Sequence, residues 1–166
     1  MNVFMPCDSI EESVRALDDK RLIKQILECK QIIVASARVA KGEKKVGYAN
    51  HPVVKHYMGE DFGMPFLLNY GKAACEEYNE RFGKIHESDV FFSWWQVVFF
   101  TMLYKDIPSL IYAEGSKNSP DCIRETNNEK VFELFKQKLI KKWNSDKYPP
   151  KWTNREPPSW YKGDEK

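Results

Sequence analysis

The sequence is short of the residue patterns that hold metal ions. Its four cysteines, Cys7, Cys29, Cys75 and Cys122, are scattered without a C-x-x-C pair, and its three histidines are His51, His56 and His86. A five-residue step takes His51 and His56 off a common helical face. Neither a structural zinc site nor a redox dithiol is therefore expected, and no metal or cofactor is called for. Long apolar runs are missing too, since nothing approaches the roughly 18 to 20 uninterrupted residues of a membrane span. The opening Met1-Asn2-Val3-Phe4-Met5-Pro6 has no basic region and no small-residue cleavage site. A secretory signal is thus not expected, and the absences together point to a cytoplasmic protein with reduced thiols and no membrane partner. The net charge is only +2 on 166 residues, which by itself announces no nucleic-acid partner.

What is present is helical periodicity. Hydrophobic residues at 42% and aromatics at 14% fit a globular chain about one domain long. The expectation is an all-α fold: one compact helical domain over residues 1–166, with an extended N-terminal arm and a Pro/aromatic-rich C-terminal segment.

The central stretch is residues 18–39, read as one long helix with Leu22, Ile23, Ile26, Leu27, Ile33, Val34 and Ala37 on a broad buried face. Lys20, Lys24, Glu28 and Gln31 follow at helical spacing as a polar stripe, with Arg21 beside it. Lys20, Arg21 and Lys24 lie in the first two turns, where the helix dipole favours anions, and Lys24 before Glu28 is the weaker sense of an i,i+4 pair. Local helix stability does not account for these charges. They form either a solvated face or a site.

Around this helix the other elements follow in order. Residues 3–5 read as an arm tucked against the core, and Ser9-Ile10-Glu11-Glu12 fits a capping box opening a short helix. Asp18 is placed to cap the long helix, which is expected to fray near Gly42. Asn50-His51-Pro52 is a turn into a helix, with His51 serving either as its cap or as a group facing a groove. Residues 66–81 form an amphipathic helix stopped by Gly83. Residues 90–112 are dense in aromatics, forming core or a partner surface; their β-branched and aromatic content also allows a strand, which periodicity does not decide against, and they are read as helical. A turn-rich loop over 115–128 leads to a helix over 129–143, with Val131, Phe132, Phe135, Leu139 and Ile140 inward. Its lysines, Lys136, Lys138, Lys141 and Lys142, suit the helix C-terminus, and together with Lys147, Lys151, Arg155 and Lys162 they make this end basic, as phosphates require. Residues 148–162 carry too many prolines for a helix and too many aromatics for a free tail. Trp152, Trp160 and Tyr161 either anchor the chain end or form a platform on which bases stack.

Four of these motifs, taken in order, resemble the pyrimidine dimer DNA glycosylase family, the phage endonuclease V-like enzymes. They are the helix from Leu17-Asp18-Asp19-Lys20-Arg21-Leu22 to Ile26-Leu27-Glu28, the turn Asn50-His51-Pro52, the stretch over 76–86, and the closing Trp152-Thr153-Asn154-Arg155-Glu156-Pro157-Pro158-Ser159-Trp160-Tyr161-Lys162. The resemblance implies an all-helical, metal-free protein that acts on double-stranded DNA carrying a damaged or modified base. It implies base excision and strand cleavage, in which the first residue's amine forms a Schiff base at C1′ and a helix glutamate handles protons. Glu28 matches that glutamate. The amine belongs to Met1, or to Asn2 once Met1 is removed, with Lys24 as a rival. An α-amine with a pKa near 8 leaves a useful neutral fraction at neutral pH, which suits the chemistry. Contacts to DNA are expected from Lys20, Arg21, Gln31, His51, Arg155, Trp160, Tyr161 and Lys162. The chain departs from the family pattern at Leu27 and Gln31, where arginines flank the glutamate in the family's best-known form. Two other readings stand beside this one: a DNA-binding or base-modifying protein of the same fold without excision, and a helical interaction domain with its aromatic stretch as the partner surface. Nothing in the sequence fixes the oligomeric state, and a monomer fits it.

Overall fold

Ser9 opens the first helix: its hydroxyl accepts the Glu12 backbone N–H at 3.1 Å, one half of the expected capping box. The computed structural model describes residues 2–59, 63–102 and 128–163. Among these residues there are six helices and no strand. They are α1 (Ile10–Ala16), α2 (Asp19–Ala40), α3 (Pro52–Gly59), α4 (Gly63–Phe82), α5 (Asp89–Met102) and α6 (Asn128–Ser145). The fold is all-α, as the periodicity predicts. Met1, Cys122 and the part of the turn-rich loop before Asn128 lie outside the described residues, as does the expected helix beyond Met102.

The long central helix is present, but it buries only part of the predicted face. Leu22, Ile26, Cys29, Ile32 and Ile33 are fully buried, whereas Ile23, Leu27 and Val34 are 43%, 52% and 38% exposed. The inner face is instead completed by Arg21, Gln25 and Glu28, all buried. Apolarity alone misplaced the stripe because three polar side chains find partners inside, and a satisfied polar group is no obstacle to burial. Asp18 also departs from expectation. Its side chain makes no capping bond; its carboxylate accepts the Trp143 indole N–H at 2.7 Å and the Arg21 guanidinium at 3.2 Å. A buried tryptophan needs an acceptor for its N–H, and that need outweighs a cap exchangeable with water.

α4 packs against α1, α2, α3 and α5. It begins earlier than predicted, at Gly63, because Pro65 falls in the first turn, where no backbone N–H is needed. Gly71 lies inside it for a steric reason: a Cβ there would come within 2.1 Å of the Phe92 ring, so α5 can approach only over a bare backbone. The arm is held firmly, with Val3, Phe4 and Met5 each at most 4% exposed. Burying each such side chain contributes about 1.5–3 kcal/mol. Tyr70 adds a hydrogen bond from its hydroxyl to the Phe4 carbonyl at 2.6 Å.

The C-terminal segment returns to the start of α2. Trp143 of α6 stacks on Trp160 at 5.4 Å and meets Trp152 and Tyr161 edge-on at 5.2 and 4.7 Å. The Asp19 N–H donates to the Lys151 carbonyl at 2.8 Å, and the Thr153 hydroxyl donates to Asp19 at 2.7 Å. Beneath this seam Arg81 is wholly buried and donates to the Leu17 and Arg15 carbonyls at 2.8 and 2.9 Å, to Glu77 at 2.7 Å and to Asp19 at 3.1 Å. One guanidinium thus ties the end of α1 and the start of α2 to α4. Removing one partner of such a buried ion pair typically costs about 3–5 kcal/mol.

Candidate active site

Glu28 stands in the middle of α2 and faces inward, with 7% of its surface exposed. Its Oε2 accepts the Asn2 backbone N–H at 3.3 Å and a Gln25 amide N–H at 3.0 Å. Its Oε1 lies 3.8 Å from Lys24 Nζ, a side chain 60% exposed. The carboxylate is therefore held between the arm on one side and a solvent-facing amine on the other. Helical geometry supplies the Lys24 contact at i,i+4 and the Gln25 contact at i,i+3. The arm supplies Asn2, because burial of residues 3–5 fixes where its head must lie.

These groups line a cleft of about 230 Å³ together with Phe4, Lys20, Arg21, Lys142, Ser145 and Asp146. Three lysines and an arginine against two carboxylates make its wall cationic, the sign that attracts a phosphate backbone. Lys142 reaches over the Phe4 ring at 6.0 Å, and Lys20 Nζ lies 3.1 Å from Asp146 Oδ2. Arg21 is buried and differs from its neighbours: it donates to Asp18, Asp146 and the Lys142 carbonyl. Its bond to Asp146 and the nearby Lys20 hold the Asp146 carboxyl down at about 2. Although burial opposes its charge, Arg21 is itself pushed up by the two aspartates.

Of the residues the sequence singled out, Glu28, Asn2, Lys24, Lys20 and Arg21 come together here. Met1 lies outside the described residues, and the other described candidates do not line this cleft. Gln31 lies on a separate groove of about 510 Å³, lined by Ile23, Leu27 and Val34 among others. His51 caps α3, its Nδ1 accepting the Val53 N–H at 3.2 Å. Arg155 donates to Glu77 at 2.9 Å and pairs with Glu80; burial pushes Glu77 up, but Arg155 and Arg81 outweigh it and hold it low. Trp160 and Tyr161 pack on Trp143, and Lys162 is exposed. The sequence reading in turn passed over Gln25, Ser145 and Asp146 as site residues, and it counted Lys142 only as one of the lysines of a basic chain end. Gln25 was legible as a polar residue one turn before Glu28, whereas the α6 residues enter the site only through tertiary packing.

Neither buried thiol competes as a nucleophile. Burial pushes Cys29 well up and Cys75 to about 12, so both stay protonated at neutral pH. Among the described residues no cluster of ligating side chains could hold a metal ion, and no helix is long and apolar enough to cross a membrane.

Fold and site together define an all-helical protein with a buried carboxylate and the backbone of Asn2 in a basic cleft. A sequence model described as pyrimidine dimer DNA glycosylase matches residues 1–90, and the chain belongs to that family. Membership supports a pyrimidine dimer glycosylase-type function in general, with DNA as the substrate. No curated protein and no solved structure matches the chain.

Proposed function

We propose that the protein is a DNA N-glycosylase with abasic-site lyase activity, acting on a damaged or modified pyrimidine in double-stranded DNA. The observation that carries this reading is the 3.3 Å approach of the Asn2 nitrogen to Glu28 Oε2 inside a cationic cleft. As an internal amide, that nitrogen only donates a hydrogen bond. In a chain processed to begin at Asn2 it is a primary amine with a pKa near 8, partly neutral and nucleophilic at pH 7.

The amine lone pair attacks C1′ of a flipped nucleotide. The C1′–N1 bond breaks with its electrons leaving on the pyrimidine, which takes up a proton. Glu28 accepts the proton the amine sheds and returns it to O4′ as the sugar ring opens to the iminium. Loss of a C2′ proton then expels the 3′-phosphate. Flipping costs a few kcal/mol, offset by contacts of Lys20, Lys24 and Lys142 to phosphates. Where Met1 is retained, its own amine takes the nucleophile's part. Lys24 is the weaker candidate, because its side chain is 60% exposed with Nζ 3.8 Å from Glu28 Oε1, whereas the Asn2 nitrogen approaches Glu28 to 3.3 Å.

Borohydride trapping on an abasic duplex tests the reading. The expected result is a covalent adduct mapped to the first residue, with Glu28→Gln losing about 10²-fold or more in strand cleavage while folded. An adduct on Lys24 moves the nucleophile. Tight DNA binding with no adduct overturns the Schiff-base lyase step, and no release of free base from damaged duplex then favours a DNA-binding protein of the same fold.

A further inference from the structure

Gln25 is completely buried, and every hydrogen bond found for its amide goes to the two partners of the amine–carboxylate pair or to the arm that carries one of them. Its Oε1 accepts the Phe4 N–H at 2.9 Å, and its Nε2 donates to the Asn2 carbonyl at 2.7 Å and to Glu28 Oε2 at 3.0 Å. A primary amide has two N–H donors and one carbonyl, and here both donors meet acceptors while the carbonyl meets a donor. The reversed amide would face a carbonyl and a carboxylate with its oxygen, so only one orientation satisfies the site.

In extended backbone the carbonyl of residue i and the N–H of residue i+2 point the same way, and a neighbouring strand normally pairs with both. Gln25 does so with Asn2 and Phe4, as a one-residue strand contributed by a helix. The same amide touches the carboxylate one turn further along α2. Among the described residues no other side chain bridges the arm backbone and Glu28 in this way; Tyr70 grips the arm at the Phe4 carbonyl, and Lys24 reaches Glu28 but not the arm backbone.

We infer that Gln25 is a positioning residue: its amide sets the register of the arm against α2 and so the approach of the chain-end nitrogen to Glu28. This inference rests on the amine–carboxylate reading above. Burial of Val3, Phe4 and Met5 holds the arm down, but apolar contacts are non-directional and tolerate sliding along the helix. The two hydrogen bonds to Asn2 and Phe4 do not. A misplacement near 1 Å between reacting groups costs about 10²-fold in rate, and that is the effect expected of losing the clamp.

The test is single-turnover borohydride trapping at saturating abasic duplex, alongside the duplex Kd, for wild type, Gln25→Leu and Gln25→Glu. Gln25→Leu keeps the volume and removes all three bonds. Its trapping rate per folded molecule should fall about 10²-fold with Kd within a few fold of wild type. Gln25→Glu keeps the shape and an acceptor for Phe4 but sets a second carboxylate beside Glu28 and the Asn2 carbonyl. Because two carboxylates in one site raise one of their pKa values, its trapping rate should fall and its pH profile should move upward. A purely structural glutamine would lower the melting temperature without altering the rate per folded molecule or the pH profile. A wild-type rate in folded Gln25→Leu, or a wild-type rate and profile in Gln25→Glu should the leucine variant not fold, overturns the inference. No adduct from the wild type instead defeats the underlying amine Schiff-base lyase reading, so the two failures are distinct.

Discussion

Lys24 and Glu28 are one helical turn apart and belong to different environments, 60% and 9% exposed at their side chains. That contrast sets the pair apart from a surface ion pair, which by itself would be worth less than about 1 kcal/mol, and makes it a candidate site. Asp146 sits at the opposite wall, bonded to Arg21 and Lys20, and its carboxyl is held at about 2 against an ordinary 3.8. Because the folded value lies below the unfolded one, Asp146 stabilises the fold above about pH 4, and the contribution is lost as pH falls toward 2. Asp146→Asn is therefore expected to melt below wild type at pH 7, with the difference closing between about pH 4 and pH 2. Thermal unfolding of both proteins across that range checks it; a gap that persists unchanged at pH 2 would show that the ion pair is not its source.

The element that carries Glu28 is fixed mainly at its N-terminal end. Asp18, Asp19 and Arg21 are all bonded to α6 or to the segment after it, through Trp143, Lys151, Thr153 and Asp146. The aromatic seam of Trp143, Trp152, Trp160 and Tyr161 thus sets where α2 begins. The ring contacts favour the anchoring role for this segment. Trp160→Ala should cost roughly 2 kcal/mol, somewhat below the value for a fully buried tryptophan because Trp160 is only partly buried. The melting temperature should drop by several degrees, while the salt dependence of DNA binding in the folded fraction stays at the wild-type slope. Weaker binding by a variant with unchanged stability would instead assign the ring to base stacking.

Across the whole molecule the sequence reading placed the basic surface at the C-terminal end, and packing distributes it more selectively. Arg155 is paired with Glu77 and Glu80, whereas Lys20 and Lys24 are 69% and 60% exposed beside the cleft, with Lys142 on the same wall. Each lysine that meets a phosphate releases about one counterion on binding. Lys20→Ala, Lys24→Ala and Lys142→Ala should then each flatten the plot of log K against log salt by about one unit, for every DNA sequence alike. Fluorescence titrations at several salt concentrations measure this, and three unchanged slopes would remove the cleft as the DNA-binding surface.

The sequence by itself determined most of the helices, because their apolar spacing, the Ser9 cap and the Gly83 stop are local properties of neighbouring residues, whereas the aromatic stretch that forms α5 suited a strand as well. It also determined that residues 3–5 would be buried and that 148–162 must pack, since neither composition tolerates water. It pointed to Glu28 through charges that local helix stability does not explain. Only the tertiary structure decided which face of α2 turned inward, because Arg21, Gln25 and Glu28 became buriable once Asp18, Asp146 and the arm supplied their partners. Only it brought Lys142 and Asp146 of α6 and its C-terminal end to a cleft begun by residues more than a hundred positions earlier. Hydrogen bonds between distant segments leave no period in the chain, so the contacts that hold Asn2 against Glu28 could be read only after the fold had formed.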